Sequence, residues 1–102
     1  MASGITFHSK REAEFAAELD MLRLARGSDR VEDVQRQLRI PLTVNGVKIC
    51  DYICDFFVRY ADGRKELVEV KGFWTDVAKL KVKLFRATFL LDHPEINYRI
   101  QQ

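Results

Sequence analysis

The sequence predicts an α/β protein in which a mixed central sheet lies between helices in a three-layer αβα sandwich. The predicted order is helix, strand, strand, strand, helix, strand, with all 102 residues in one domain. Residues 48–60 and 64–71 are rich in aromatic and β-branched side chains, and Asp62-Gly63 between them is a hairpin signal. Segments on either side of this hairpin repeat apolar residues at helical spacing. Both faces of 48–60 are largely apolar, which predicts helices on both sides of the sheet.

The first helix is predicted to begin at Ser9 and to end near residue 26, before Gly27. Ser9 and Glu12 have the spacing of a capping box, in which two side chains satisfy the free N–H groups of a helix start. A brief strand is expected before the helix, within residues 5–7. The predicted core stripe of the helix comprises Phe15, Leu19 and Leu22.

Three further elements complete the predicted order. Residues 31–42 predict an extended segment, which the Asn45-Gly46 turn joins to the strand at 48–60. After the hairpin, Thr75 is the predicted N-cap of a second helix that reaches about residue 91. The predicted core stripe of that helix comprises Val77, Leu80, Leu84, Thr88 and Leu91, with Phe85 and Phe89 beside it. The last strand alternates Ile96, Tyr98 and Ile100, and is expected to pair in parallel with a central strand.

The length of the hairpin loop decides which charged residues share a face. A two-residue loop would put Asp55 and Glu69 on different faces, whereas a three-residue loop pairs Tyr60 with Arg64 and sets Asp55 opposite Glu69. The three-residue loop is favoured, because Gly63 suits the left-handed conformation that it requires. Asp55, Glu69 and Lys71 then cluster on one face of the sheet.

Two carboxylates and a lysine on a mostly apolar sheet call for an explanation. Like charges directly opposite each other destabilise a sheet, and a buried charge is costly unless it is paired. A divalent cation would remove the conflict, since Mg²⁺ binds one or two carboxylates together with water and substrate phosphate. Lys71 would then position the attacking water or the phosphate. The alternative is a solvated face with a cross-strand ion pair.

The pattern resembles the PD-(D/E)XK nuclease superfamily. Asp55, followed after a hairpin by Glu69-Val70-Lys71, matches the two-part motif of that superfamily. The chain also resembles a DUF1064-like family of short phage- and prophage-encoded proteins assigned to the superfamily, from Gly4 to about residue 100. One departure is Cys54, which stands where the superfamily name has proline.

The resemblance implies a restriction endonuclease-like core and a metal-dependent DNA endonuclease that hydrolyses phosphodiester bonds. By this similarity Asp55, Glu69 and the backbone carbonyl of Val70 would bind Mg²⁺ or Mn²⁺, and Lys71 would orient the nucleophile. A glutamate on the first helix often completes such a site, and Glu12 is the matching residue here. The alternative for Glu12 is a capping role alone.

Candidate DNA contacts lie outside the motif. Lys79, Lys83 and Arg86 recur at helical spacing and form one basic stripe, which a phosphate backbone would neutralise. The alternative is an ordinary solvated face. Gln35 matches a glutamine of the family-like pattern, where it would support the site or contact DNA; a solvated edge-strand residue is the alternative.

Composition and charge limit the possible functions. Lys and Arg total 17 against 15 acidic residues, so the net charge of +2 requires any DNA surface to arise from local clustering. No transmembrane-length run or signal-peptide pattern occurs, which predicts a cytoplasmic protein, in the bacterial host if phage-encoded. Cys50 and Cys54 lie too far apart on one strand for a mutual disulfide and are expected to be core residues.

Size and layout resemble those of the archaeal Holliday junction resolvases, which work as two-fold dimers. This similarity implies a homodimer that prefers branched or junction DNA. Phe73, Trp74 and Tyr98 are candidate interface residues, and core or DNA-stacking roles in a monomer are the alternative. The rival functions are a catalytically idle DNA-binding protein of the same fold, and an interaction module whose charges are merely solvated.

Overall fold

The computed structural model describes residues 9–102, so the brief strand predicted within residues 5–7 lies outside the described part of the chain. Short turns of 3-10 helix, Gly27–Asp29, and of π-helix, Arg86–Leu90, accompany the main elements. Those elements are α1 (Lys10–Leu22), β1 (Val31–Val44), β2 (Val47–Tyr60), β3 (Lys65–Val70), α2 (Asp76–Phe85) and β4 (Ile96–Gln101).

The four strands form one mixed sheet in the order β1-β2-β3-β4. β1 pairs with β2, and β2 with β3, in antiparallel fashion. β4 returns after α2 to pair in parallel with β3, from Lys65↔Ile96 to Val70↔Gln101. The mixed α/β class and the parallel pairing of the last strand are therefore confirmed.

The β2–β3 turn adopts the three-residue form. The Tyr60 N–H donates to the Arg64 carbonyl at 2.9 Å, and the Gly63 N–H donates to the Tyr60 carbonyl at 3.0 Å. Gly63 has φ of 91°, a left-handed conformation that glycine adopts without steric cost. The resulting ladder ends at Phe56↔Val68. The favoured register is confirmed, and one step beyond the ladder Asp55 stands opposite Glu69.

Each helix packs against its own set of sheet residues. Phe15 and Leu19 of α1 join a buried cluster with Phe56, Val58 and Val68, whereas Val82 and Phe85 of α2 join a second cluster. The sheet residues of the second cluster are Ile40, Leu42, Tyr52, Cys54 and Leu67. Leu67 and Val68 are consecutive in β3 and belong to different clusters, as alternation along a strand requires.

The two long strands change the face they present part-way along. Cys54 and Phe56 are two residues apart and both fully buried, yet they lie in different clusters. At the matching position of β1, Gln37 has φ of 54°, a left-handed conformation that is uncommon outside glycine. This irregularity lies level with Asp55, since Arg36 pairs with Phe56 and Leu38 with Cys54.

Three of the five residues in the predicted core stripe of the second helix are wrong, whereas Leu84 packs against the core as predicted. Val77, Leu80 and Leu91 are 63%, 67% and 74% exposed, while Val82 and Phe85 are buried. The sequence carries two overlapping apolar stripes. The one that contains Phe85 is buried because Phe85 stacks on Tyr52 with ring centroids 4.4 Å apart. The π-helical turn after Phe85 also shifts the helical phase, so that no single stripe continues to Leu91.

Candidate functional site

The candidate site lies where β2 and β3 separate. Beyond the last pair, Phe56↔Val68, the Val70 N–H donates to Asp55 Oδ2 at 2.7 Å, so a side chain replaces the partner strand. This bond places the Asp55 carboxylate at the fork. Glu69, on the same fork, is only 4% exposed and its Oε1 accepts a 2.7 Å hydrogen bond from the Tyr52 hydroxyl.

The environment of Glu69 disfavours its charged form. The pKa of Glu69 is raised to about 7, mainly by burial and also by the neighbouring charge of Asp55, while the hydrogen bond from Tyr52 and the charge of Lys71 act in the opposite direction. Burial is the dominant cause because a carboxylate loses solvation inside the protein. The fork therefore holds two acidic side chains side by side, and positive charge nearby favours the ionised form of Glu69.

Lys71 supplies part of that charge. Its Nζ lies 3.8 Å from Glu69 Oε2 and 5.8 Å from the centre of the Trp74 ring, and its side chain is 30% exposed. Its backbone N–H donates to the Gln101 carbonyl at 2.9 Å, which fixes the end of β3 against β4. Lys71 thus lies between the buried carboxylate and solvent, where it can meet an incoming anion.

The N-terminus of α1 brings a third carboxylate to the site. Ser9 is the N-cap, as predicted, since its hydroxyl accepts from the Glu12 N–H at 3.1 Å. The Glu12 side chain is 2% exposed, and its carboxylate accepts from Arg36 at 3.3 Å and from Gln37 at 3.1 Å. Glu12 therefore does more than begin the helix, because its carboxylate is bonded to β1 beside the fork.

Gln37 connects the two acidic groups. Its Nε2 donates to Glu12 Oε2 at 3.1 Å and to Asp55 Oδ1 at 3.3 Å. Sequence reasoning selected Gln35 instead, which is exposed on β1. Simple alternation puts both glutamines on one face, and no local signal indicates the left-handed backbone of Gln37 that breaks the alternation.

An open cleft of about 490 Å³ joins these residues. The four predicted catalytic residues, Glu12, Asp55, Glu69 and Lys71, all line this cleft, together with Val70. A second groove of about 260 Å³ shares Glu69 and Lys71 with the cleft and is also lined by Lys81. The cleft is lined by Ser9, Lys10, Arg11, Glu12, Asp55, Glu69, Val70, Lys71, Gly72 and Phe73.

The predicted basic stripe lies apart from this cleft. Lys79, Lys83 and Arg86 are all exposed on α2 or directly after it, and none of them lines the cleft or the second groove. The Arg86 guanidinium carbon lies 5.1 Å from the centre of the Tyr98 ring. Lys81, which sequence reasoning left outside the stripe, is the lysine of α2 that lines the second groove beside Glu69 and Lys71.

The donor set fits a hard cation that takes few protein ligands. Within residues 9–102, no three His, Cys, Asp or Glu side chains are grouped as a ready metal site. Mg²⁺ requires fewer, since it keeps several waters and uses one or two carboxylates together with phosphate oxygens. Asp55 and Glu69 provide such a pair, and the charge of a cation would favour the ionised form of Glu69, which burial disfavours.

A family model described as a protein of unknown function, DUF1064, matches residues 1–98. The chain belongs to the DUF1064 family. The match spans α1 and the fork as well as α2, so every site residue of this DUF1064 protein lies inside it. A search of curated proteins returned no match. No helix in the described part of the chain is long and apolar enough to cross a membrane.

Proposed function

We propose that this DUF1064 protein is a metal-dependent DNA endonuclease of the PD-(D/E)XK superfamily, built as a three-layer αβα sandwich. The observation that carries the proposal is the convergence of Asp55, Glu69 and Lys71 on the fork between β2 and β3. The Glu-X-Lys spacing supports it, because Glu69 and Lys71 fall on one face of β3 while Val70 presents its backbone between them.

Asp55, Glu69 and the carbonyl of Val70 are the proposed ligands of Mg²⁺ or Mn²⁺. When bound, such a cation lowers the pKa of a coordinated water and offsets charge that develops on the phosphate. Lys71 orients the attacking water and contacts the same phosphate, since its ammonium lies at the cleft wall beside Glu69. Positioned donors of this kind lower the barrier because they are in place before charge develops.

Glu12 and Gln37 hold the site in shape. Gln37 donates to both Glu12 and Asp55, which leaves Asp55 Oδ2 bonded to the Val70 N–H and directs both oxygens. Glu12 is the second-rank candidate ligand, because it lines the same cleft. Residues that lock the rotamers of ligands in this way strongly affect metal affinity.

The proposed substrate is DNA, with Lys79, Lys83 and Arg86 as phosphate contacts along α2. Their exposure leaves them accessible, and their separation from the cleft requires a substrate long enough to reach both places. Gln35 is exposed on β1 and remains a proposed DNA contact. A cleft with two carboxylate ligands and a distant basic stripe together suit a polymer better than a small phosphate ester.

We place the protein among homodimeric, junction-preferring nucleases as part of the same proposal. Of the three predicted interface residues, Phe73 is 79% exposed, whereas Trp74 and Tyr98 pack against the core. Phe73 also borders the cleft, so contact through it would set two sites in a fixed relation. Light scattering should give a dimer mass at micromolar concentration, and a monomer mass with junction DNA present would contradict this.

The test is cleavage of labelled linear, flapped and four-way junction DNA with Mg²⁺, with Mn²⁺ or with EDTA. Wild-type protein should cut only with metal, and branched DNA best. Asp55→Asn, Glu69→Gln and Lys71→Ala should each reduce the rate at least about a hundredfold while the protein stays folded. Lys65→Ala is the matched control, since it removes an exposed lysine from the opposite end of β3.

Three results would contradict the assignment. A Lys71→Ala variant that cuts at nearly the wild-type rate would exclude the proposed role of the motif. Wild-type protein that binds DNA but never cuts it would instead identify the catalytically idle DNA-binding protein, and absence of both binding and cleavage would favour an interaction module.

A further inference from the structure

The guanidinium of Arg11 lies against the backbone of Gly72 at the rim of the cleft. A Cβ placed on Gly72 would lie 2.8 Å from Arg11 Nη1, 2.9 Å from Cζ and 3.0 Å from Nε. Contact with three guanidinium atoms at once shows that the group lies across the glycine rather than touching it with one end. Gly72 has no left-handed φ, so space for Arg11, and not backbone conformation, explains the glycine.

Arg11 and Gly72 are each adjacent in sequence to a residue of the proposed active site. Gly72 directly follows Lys71, and Arg11 directly precedes Glu12, so the contact joins the two segments that carry the proposed catalytic groups. Arg11 and Gly72 both line the cleft that contains Asp55 and Glu69. Arg11 therefore borders the same cleft as the carboxylates, on the side of α1.

Among the described residues, the positive charge of Arg11 is not paired with a carboxylate, so it is available to an anionic ligand. Lys71 is paired with Glu69 at 3.8 Å, whereas no ion pair joins Arg11 to any residue between Ser9 and Gln102. A DNA strand that enters a cleft lined by three carboxylates is repelled unless cations meet its phosphates. A guanidinium whose face is against backbone still presents its N–H edge, which matches the two oxygens of a phosphate.

We infer that Arg11, seated on Gly72, binds a DNA phosphate next to the one that is cleaved. This inference rests on the proposed nuclease function and assigns part of its substrate recognition to a contact outside the motif. Gly72 is then a positioning residue, which acts only by leaving room for the guanidinium. Arg11 is a substrate-binding residue that takes no part in activating water.

The experiment compares Arg11→Gln and Gly72→Ala with wild-type protein in Mg²⁺-dependent cleavage of labelled duplex DNA at several salt concentrations. Arg11→Gln should raise KM roughly tenfold or more, with kcat within about threefold, and should reduce the salt slope by about one. Gly72→Ala should raise KM in the same direction although the arginine is intact, because the new methyl group displaces the guanidinium.

Arg23→Gln is the matched control. Arg23 is an exposed arginine directly after the end of α1, and its replacement leaves the cleft unchanged. Thermal melting checks folding, and Gly72→Ala should melt near the wild-type temperature, since only a flexible side chain must move. An unchanged KM in either variant, with active wild-type protein, would overturn the inference and leave the nuclease function standing. Wild-type protein without metal-dependent cleavage would overturn both.

Discussion

The two halves of β2, residues 47–54 and residues 56–59, differ in how they pair with neighbouring strands. Residues 56–59 pair with β1 on one side and with β3 on the other, whereas residues 47–54 pair with β1 alone. Phe56 and Val58 of residues 56–59 are fully buried, whereas residues 47–54 combine the buried Tyr52 and Cys54 with Val47, Ile49 and Ile53, which are 60%, 57% and 42% exposed. The candidate site lies at the boundary, at Asp55.

The difference explains how a small sheet can hold buried carboxylates. Where β2 pairs with β3, the strands satisfy each other's backbone N–H and C=O groups, so these groups need no side-chain partner. A charged side chain buried there would only be costly. Beyond the boundary the Val70 N–H needs a new partner, and Asp55 provides it. Tyr52, which lies on the half of β2 that pairs with β1 alone, donates its hydroxyl to the side chain of Glu69. The end of the ladder thus creates both the space and the hydrogen-bond donors for the site.

The largest expected effect tests whether the paired half supplies the stability. Phe56→Ala should lower the free energy of unfolding by about 3–5 kcal/mol, since it leaves a cavity against Phe15, whose ring centroid lies 5.2 Å away. Ile53→Ala should lower it by about 1 kcal/mol or less, because that side chain is already part-exposed. Urea denaturation measures both, and equal losses would remove the distinction between the two halves.

The second prediction concerns pH and the buried carboxylate. Because the pKa of Glu69 is about 7 in the folded protein against 4.5 for the free side chain, the folded state binds more protons between these values. The contribution of Glu69 to stability is therefore full below about pH 4.5 and is lost as pH rises through 7. Glu69→Gln should consequently be more stable than wild type at pH 8, by about 1–3 kcal/mol.

At pH 5 the advantage of Glu69→Gln should nearly vanish, because wild-type Glu69 is then mostly protonated. Urea denaturation at pH 5 and pH 8 measures the difference. Glu95→Gln is the control, since it removes an exposed carboxylate and should show no such pH dependence. A variant no more stable than wild type at pH 8 would show that the fork tolerates both charges.

The third prediction tests whether the boundary binds metal. A ligand that binds only the folded state at ten times its Kd stabilises it by about 1.4 kcal/mol. Mg²⁺ or Mn²⁺ should therefore raise the Tm of wild-type protein and not that of Asp55→Asn, which lacks one proposed ligand. Ca²⁺ should support DNA binding without cleavage, because its coordination is looser. Equal shifts of Tm in both proteins would place the metal elsewhere.

Local chemistry accounts for what the sequence predicts correctly. The register of β2 and β3 depends on a few turn residues, and Gly63 adopts the left-handed conformation of the loop that sets Asp55 opposite Glu69. The start of α1 depends on the Ser9 hydroxyl, whose acceptor role is complete within one helical turn. Because the position of the carboxylates follows from the register, most of the candidate site can be inferred from the amino-acid sequence.

Long-range contacts account for what sequence reasoning misses. The buried face of α2 depends on Tyr52 stacking on Phe85, a contact between distant segments that periodicity cannot identify when two stripes overlap. Gln37 enters the site because its backbone is left-handed, which reverses the alternation of β1. The contact between the Arg11 guanidinium and Gly72 likewise joins α1 to the end of β3, and neither segment alone carries a sequence signal for it.

The smallest expected effect concerns the helix that covers residues 47–54 of β2, the half that pairs with β1 alone. α2 packs against Tyr52 and Cys54, so its exposed stripe of Lys79, Lys83 and Arg86 lies on the functional side of the comparison. Replacing all three with alanine should leave Tm nearly unchanged, because exposed charges contribute little to stability. DNA affinity should fall across sequences, and its salt dependence should flatten by about one for each phosphate that the variant no longer binds.

The control for the stripe removes the same charge elsewhere. The control residues are exposed and lie away from α2. Arg23 and Arg26 follow the end of α1, and Lys65 begins β3, where it pairs with Arg59 of β2. If only net charge attracts DNA, both triple variants should lose equal affinity and equal salt slope. If α2 contacts the phosphate backbone, only the stripe variant should change the slope. An unchanged slope in the stripe variant would return these residues to a solvated face and confine DNA contacts to the cleft.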